Sequence, residues 1–341
     1  MKKTHKFLSM TVISAMVISM LGVTACSSGS AGSDSAKLTK ITLNEVAHSI
    51  FYAPQYAAIE LGYFEEEGLD LTLVNGGGAD KVMTALISGD ADIGFMGSEA
   101  SIYTYANGAE DYAVNFAQLT QRAGNFLVGR DADIDFKWEK LKGTKVLGGR
   151  AGGMPQMVFE YILKKNGIDP KTDLTIDQSI NFGLTAAAFT SNDADYTVEF
   201  EPFATALELE GNGYVVASLG TDSGYVPYTA YCAKKSYMEA NPEIIQKFTN
   251  AMQRGLDYVN SHTSEEIAET IKPQFEETPM ENIVNIVERY KSQDTWKNDL
   301  IFEKESFELL QNILEEAGEL PERVPYEKLV TTEFAKTASE K

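Results

Sequence analysis

A chain of 341 residues, 43% hydrophobic and 23% charged, has the composition of a globular protein and more length than one ordinary core supports, so two lobes are expected. Fifty acids against 29 bases give a formal net charge of −21, which repels phosphate backbones and argues against a nucleic-acid partner. Two cysteines and three histidines argue against a disulfide scaffold, a cysteine-rich zinc module and a multi-histidine centre, so no metal and no cofactor is expected.

Residues 1–25 read as an address rather than as fold. Lys2, Lys3 and Lys6 form a positive start, residues 7–23 are an uncharged and mostly apolar run, and Val23-Thr24-Ala25 sets small residues before Cys26. This is the pattern of a secretory signal. It resembles the bacterial lipobox, which implies cleavage before Cys26, a diacylglycerol on its thiol, and a protein exported and lipid-anchored to the outer face of the cell membrane. The run is at the short end for a membrane span, and Ser9, Ser14 and Ser19 interrupt it, which argues against an uncleaved anchor helix. Residues 26–38 then read as a flexible tether rich in Ser and Gly.

From Lys40 the chain alternates. Strands are predicted at 41–46, 69–74, 93–96, 114–119 and 126–129, with helices at 56–61, 80–88 and 99–107 between them. Such alternation argues for parallel sheets with helices on both faces. The second half repeats the first. Thr39-Lys40-Ile41 is echoed by Thr144-Lys145-Val146, Gly68-Leu69-Asp70 by Gly167-Ile168-Asp169, and Ser88-Gly89-Asp90-Ala91-Asp92 by Ser191-Asn192-Asp193-Ala194-Asp195. Three echoes at an offset of about a hundred residues predict two similar α/β lobes, and two copies are too few for a solenoid. A strand at 228–233, where Cys232 reads as a small buried hydrophobe, is followed by helices at 242–260, 265–271, 280–292 and 303–316. Ile244, Ile245, Phe248, Met252 and Leu256 form one apolar stripe on the first of these. The expected organisation is a first lobe at 39–130, a second at 131–226, and a return at 227–341 that completes the first lobe and ends in helices. Crossings near 129–133 and 224–228 would form a hinge, with a cleft between the lobes.

Ligands of open parallel sheets sit beyond the carboxyl ends of the strands. That rule singles out residues 47–54, 76–78, 97–99, 120–122, 148–155, 181–183 and 199–203, with Tyr225 and Tyr228 beside the return crossing. The glycine loops at 76–78 and 148–153 can present backbone N–H groups at helix N-termini, which suits an anion or a polar head group, or the glycines simply make tight turns; Gly152, Gly153 and Met154, and the strand-end residues Gly97 and Ser98, are candidates. Neither glycine loop is a GxGxxG or GxxxxGKS motif. Phe51, Tyr52, Phe203, Tyr225 and Tyr228 offer flat walls for a planar ring, or packing for the core. Glu99, Glu199 and Glu201 can accept from amino groups or favour helix N-termini. His48 can donate to a ligand or cap its loop, and Ser49 and Asn181 complete the candidate set. Arg122 and Arg150 can meet a carboxylate, sulfonate or phosphate, or an acid of the protein itself. Catalysis finds little support: only His48 and His262 follow the signal, no GxSxG elbow is present, and Trp138 and Trp296 are few for sugar platforms. The chain is expected to bind rather than to catalyse.

Phe51-Tyr52-Ala53-Pro54-Gln55-Tyr56-Ala57-Ala58, Glu60-Leu61-Gly62-Tyr63-Phe64, Glu67-Gly68-Leu69-Asp70, Ala85-Leu86-Ile87-Ser88-Gly89-Asp90-Ala91-Asp92-Ile93-Gly94, Leu141-Lys142-Gly143-Thr144-Lys145-Val146 and Glu201-Pro202 carry a resemblance. Over roughly residues 41–316 the chain resembles the NMT1/THI5-like and SsuA-like branch of bacterial ABC-importer solute-binding proteins. The resemblance implies a two-lobed periplasmic-binding fold of type II, each lobe a mostly parallel sheet flanked by helices, closing on a small molecule. It implies a monomer that delivers its ligand to a membrane permease and its ATPase. Ligands of the family include thiamine-precursor pyrimidines, flavins, sulfonates, taurine and nitrate; the strand-end aromatics and carboxylates favour a pyrimidine-like nitrogen heterocycle, with sulfonate, taurine or nitrate as the alternative. A reading of another class is an enzyme that makes or hydrolyses a pyrimidine on the same fold. The fungal synthase of the family has a cysteine cluster that this chain lacks.

Overall fold

The structure is a computed structural model that describes residues 37–180 and 183–341. Its strands are β1 (Thr39–Glu45), β2 (Leu69–Asn75), β3 (Ile93–Met96), β4 (Ala113–Thr120), β5 (Asn125–Gly129), β6 (Lys145–Leu147), β7 (Thr175–Asp177), β8 (Tyr196–Phe200), β9 (Tyr214–Ser218) and β10 (Thr229–Lys234). They form two five-stranded sheets with orders β2-β1-β3-β10-β4 and β7-β6-β8-β5-β9. Each sheet has a parallel core, β2-β1-β3 or β7-β6-β8, and one strand that runs against its two neighbours, β10 or β5. The two sheets are therefore mixed, with four strands in each pointing one way.

The sequence echoes have a structural cause. Asp92, just before β3, accepts the Thr42 backbone N–H at 2.8 Å and returns its own N–H to the Thr42 carbonyl at 3.0 Å. Asp195, just before β8, does the same with Lys145, at 2.8 and 2.9 Å. A carboxylate at that place locks the register of the third strand of each lobe on the first, so the Asp-Ala-Asp turn recurs.

The reversed strand of each sheet is the one that arrives from the other. The chain leaves the first sheet at Thr120 and enters the second at Asn125; it leaves the second at Ser218 and re-enters the first at Thr229. This corrects two expectations. The strand predicted at 126–129 belongs to the second sheet, not to a first lobe ending at 130, and the first crossing falls at 121–124 rather than near 129–133. A strand is legible from its residues, whereas its partner is set by long-range pairing. β9 was not anticipated: it is an edge strand, half-buried, without clean alternation.

The C-terminal region also departs from a simple return to the first lobe. The helix Pro242–Ser261 does return, burying Ile245, Phe248, Met252 and Leu256, with Ile244 at the edge of the stripe. The helix Lys304–Ala317, however, packs on Met154–Lys165 of the second lobe, and Lys164 Nζ donates to the Glu316 carbonyl at 2.5 Å. The chain then comes back to the first sheet, where Val330 bridges to Asn115. The apolar face of Phe307, Leu310, Ile313 and Leu314 is buried by this arrangement, so the C-terminal helices brace both sheets. Cys232 is buried in β10, and burial pushes its thiol up to about 12. Among the described residues no helix is long and apolar enough to cross a membrane.

Candidate ligand-binding site

A cavity of about 70 Å³ lies at the strand ends, lined from both sheets. The loop after β1 supplies Val46, Ala47, Ser49 and Tyr52; the loops after β2 and β3 supply Gly78, Ala79, Gly97 and Glu99. The second sheet contributes Arg150, Gly153, Met154 and Pro155 after β6, and Phe200 at the end of β8. Tyr228 and Thr229 join them because β10 is reversed, so its start lies at the end where β3 finishes. The volume is room for a few waters or one small ligand. A second compartment shares Val46, Ala47, Ser49 and Phe200 with the first and adds His48, Asn75, Gly77, Gly183, Glu201 and Phe203.

The walls are apolar and flat. Tyr52 is fixed edge-on against Phe95, with ring centroids 4.5 Å apart, and Phe200 and Tyr228 meet at 6.2 Å. Tyr228 is held by a hydrogen bond from its hydroxyl to Asn125 Oδ1. Burial, with the charges of Glu45 and Glu99, keeps the Tyr52 hydroxyl protonated and so a donor.

Glu99 is the acid of the cavity. It begins the helix Glu99–Ala106 and is 3% exposed. A Cβ on Gly97 would fall 2.0 Å from Glu99 Oε2, so the carboxyl folds back into space that only a glycine leaves open. Burial pushes it up to about 7, against the pull of its own backbone N–H, the Arg150 guanidinium and the Met154 N–H. Oε2 has no hydrogen-bond partner. Arg150 approaches Asp80 only at 3.7 Å, in an exposed pair worth little. Two shorter contacts cross the cleft: Ser49 Oγ donates to the Glu201 carbonyl at 2.8 Å, and the Tyr103 hydroxyl to the Gly152 carbonyl at 3.3 Å.

Of the residues chosen from sequence, Ser49, Tyr52, Gly97, Glu99, Arg150, Gly153, Met154 and Tyr228 line the main cavity. Ser98 is buried behind it with an unpartnered hydroxyl, and Gly152 offers its carbonyl to Tyr103. Five more of the chosen residues lie off the main cavity, contrary to expectation. Phe51 is fully buried core, and a Cβ on Gly124 would meet its ring at 2.6 Å. Arg122 and Tyr225 sit together at the crossings: the guanidinium stacks 4.2 Å from the Tyr225 centroid and donates to the Gly220 carbonyl at 3.1 Å. Glu199 faces away from the cavity, accepting from Thr197 and Thr185 at 2.6 and 3.0 Å, with burial pushing it up to about 7. Glu201 reaches only the second compartment, and its carboxylate pairs with Arg289 at 2.5 Å and caps the helix Phe203–Leu209 through the Thr205 N–H at 2.9 Å. Asn181 and Cys26 lie outside the described residues. Sequence reasoning passed over Val46, Ala79 and Thr229, and gave Phe200 no role although it named the segment.

His48 also turns from the main cavity. Its Nδ1 lies 2.8 Å from Glu45 Oε1 and its Nε2 2.8 Å from the Gln274 carbonyl. A carboxylate and a backbone carbonyl are both acceptors, so the setting favours the doubly protonated ring. Glu45, fully buried, also receives Gln55 Nε2 at 2.7 Å and the Tyr56 hydroxyl at 2.8 Å. The hydrogen bond to Glu45 raises the His48 pKa. A raised folded-state value contributes stability that is fully present below the unfolded value, about 6.5, and is lost as pH rises through the folded one. The stability gap between wild type and His48→Gln in urea titrations is therefore expected to shrink from pH 6 to pH 9; a gap that widens would contradict the imidazolium.

The arrangement is a flat slot with one acid, one guanidinium and hydroxyl donors. Among the described residues no group of three His, Cys, Asp or Glu could hold a metal ion. A family model described as NMT1/THI5 like matches residues 50–266. The chain is 47% identical over 305 residues to "Putative binding protein YtlA" of Bacillus subtilis (strain 168), spanning 89% of this chain and 91% of that one. It is 26% identical over 220 residues to the 4-amino-5-hydroxymethyl-2-methylpyrimidine phosphate synthase of Aspergillus parasiticus, spanning 61% of this chain and 63% of that one. In structure it is similar to the alkanesulfonate-binding protein SsuA from Xanthomonas axonopodis pv. citri bound to MOPS, with a TM-score of 0.70 at 16% identity over 87% of this chain and 99% of that one. The fold is the two-lobed fold of the periplasmic-binding proteins. The family model spans more than half of the sequence, and a relative at 47% identity spans nearly all of it, so the chain belongs to the NMT1/THI5-like family.

Proposed function

We propose that this protein is the solute-binding receptor of an ABC-type importer, clamping a small, flat, amino-bearing nitrogen heterocycle between its lobes and handing it to a permease and its ATPase. The observation that carries the reading is the cavity itself: strand ends of both sheets converge on one slot, walled by Tyr52, Phe200 and Tyr228. Aromatic walls hold planar rings by offset or edge contacts, and the few polar groups at the rim fix orientation. The relative named as a binding protein, and the solved sulfonate-binding protein with the same fold, support a receptor. The pyrimidine synthase relative supports the ligand class. An enzyme is disfavoured because Cys232, the one thiol among the described residues, is buried in a strand. On this reading the protein is exported and held at the outer face of the membrane through Cys26, and Cys26→Ser abolishes partitioning into detergent.

The test is a calorimetric titration with an aminopyrimidine, riboflavin, taurine, an aromatic sulfonate and nitrate. The aminopyrimidine is expected to bind without turnover. At a hundredfold excess over its Kd it should stabilise the fold by about 2.7 kcal/mol, read as a rise in Tm. Tight binding of taurine or nitrate with no response to either heterocycle would overturn the ligand class, and conversion of the aminopyrimidine would overturn the receptor.

A further inference from the structure

We infer that Glu99 occupies, as part of the protein, the seat that a ligand's anionic group would take, and thereby sets the sign of charge that the cleft accepts. The inference rests on the proposed receptor reading and names the residue that decides its ligand class. Three features make the place an anion seat. The helix Glu99–Ala106 starts there from the first lobe, the helix Met154–Lys165 starts there from the second, and Arg150 lies beside them. Helix N-termini present unpaired N–H groups and a partial positive charge, and a guanidinium adds a whole one. In an empty cleft this set would attract a sulfonate, a carboxylate or nitrate.

The chain fills the seat from within. Glu99 is 3% exposed, lines the cavity, and is influenced by its own N–H, the Met154 N–H and Arg150, the three groups that would otherwise hold an anion. The fit is built in at Gly97, where any side chain would strike the carboxylate. One of its oxygens, Oε2, is left with no partner, although buried acceptors are normally satisfied. An unsatisfied buried carboxylate oxygen between flat aromatic walls calls for a ligand N–H. It also repels a second anion in a place where water does not screen the two charges. Burial also pushes the carboxyl up to about 7, and a donor from the ligand would favour its charged form.

The experiment uses the full chain and the Glu99→Gln, Glu99→Ala and Glu99→Ala/Arg150→Gln variants at pH 8. An aminopyrimidine and an aromatic sulfonate are titrated by calorimetry, and Tm is read with inorganic sulfate against a chloride salt of equal ionic strength. Wild type is expected to bind the aminopyrimidine and not the sulfonate. Glu99→Gln should lose at least tenfold in aminopyrimidine affinity. Glu99→Ala should gain affinity for the aromatic sulfonate and show a sulfate-specific rise in Tm that wild type lacks, and Arg150→Gln should remove both gains. Equal aminopyrimidine affinity in wild type and both single variants would overturn the inference while leaving the receptor reading intact. A sulfonate that binds wild type as tightly as Glu99→Ala would overturn it together with the ligand class. Because sulfate needs no knowledge of the physiological ligand, an unchanged sulfate response across all variants would overturn the inference even if no organic probe binds.

Discussion

Replacing Arg289 by methionine should lower the unfolding free energy by about 3–5 kcal/mol at pH 8, and by less in mild acid. Arg289, on the helix Met280–Ser292, donates to Glu201 Oε1 at 2.5 Å and to Glu208 Oε2 at 2.9 Å. Glu201 is fully buried, so removal of its partner leaves a charge that the interior cannot solvate. Burial already holds the Glu201 pKa above its ordinary value, against the opposing pull of Arg289 and of the Thr205 N–H and hydroxyl. Without Arg289 that value climbs further. As pH falls through it, the carboxyl takes up a proton, the unpaired charge disappears, and the deficit shrinks toward the cost of the lost hydrogen bonds. Urea titrations of wild type and Arg289→Met at pH 8 and pH 5 check the sign. Glu201→Gln placed on Arg289→Met should recover part of the loss at pH 8. A deficit that stays below 1 kcal/mol, or that grows in acid, would mean the pair is not buried in the way described.

The position of this pair matters beyond stability. The helix that carries Arg289 also sends the Tyr290 hydroxyl to the Gly124 carbonyl at 3.0 Å, and Gln293 meets Ser218 Oγ at 2.6 Å. These contacts grip both crossings between the sheets. The crossings are thus held by a C-terminal element, and Glu201, just after β8, is an anchor point for it.

That outcome shows where sequence reasoning reaches and where it stops. The two-lobed plan was legible because a register lock, Asp92 on Thr42 and Asp195 on Lys145, demands the same residues twice. The strand-end rule likewise pointed to Tyr52, Gly97, Glu99, Met154 and Tyr228, which line the cavity, since the strand ends of both sheets converge there. What the rule lacks is the facing of each side chain. Phe51 and Tyr52 are adjacent, yet one is core and the other wall. Glu199 and Phe200 alternate across β8, so only one of them can reach the cleft, and the polar residue drew attention where the ring does the lining. Arg122 and Tyr225 were grouped with the cleft because each borders a strand end. They stack on each other at the crossings, a pairing that joins residues about a hundred positions apart and leaves no local trace.

Gly255→Val is expected to lower both stability and ligand affinity, although Gly255 does not line the cavity. Glycine in the middle of a helix costs about 1 kcal/mol relative to alanine, so propensity alone would replace it. Packing forbids that. A Cβ at 255 would fall 2.3 Å from the Pro54 carbonyl oxygen and 2.8 Å from Ala58 Cβ, both on the helix Ala53–Glu60. The helix Pro242–Ser261 crosses there at a distance that only a glycine permits, and the clash is with backbone, which cannot rotate away. Overpacking of this kind costs typically about 1–3 kcal/mol; Gly255→Ala already carries the clashing Cβ and should be destabilised despite its helix propensity, and Gly255→Val should reach the upper end. The displaced helix follows directly on Tyr52, and Ser49 is three residues further back, so relief of the clash moves one wall of the cavity and the donor that spans the cleft. A loss of about 1.4 kcal/mol in binding would appear as a tenfold rise in Kd. Urea midpoints and aminopyrimidine titrations of both variants separate the two effects. A valine variant that is destabilised yet keeps wild-type affinity would show that the crossing supports the fold alone; one that weakens binding more than its stability loss explains would show that the close helix contact is what holds Tyr52 in place.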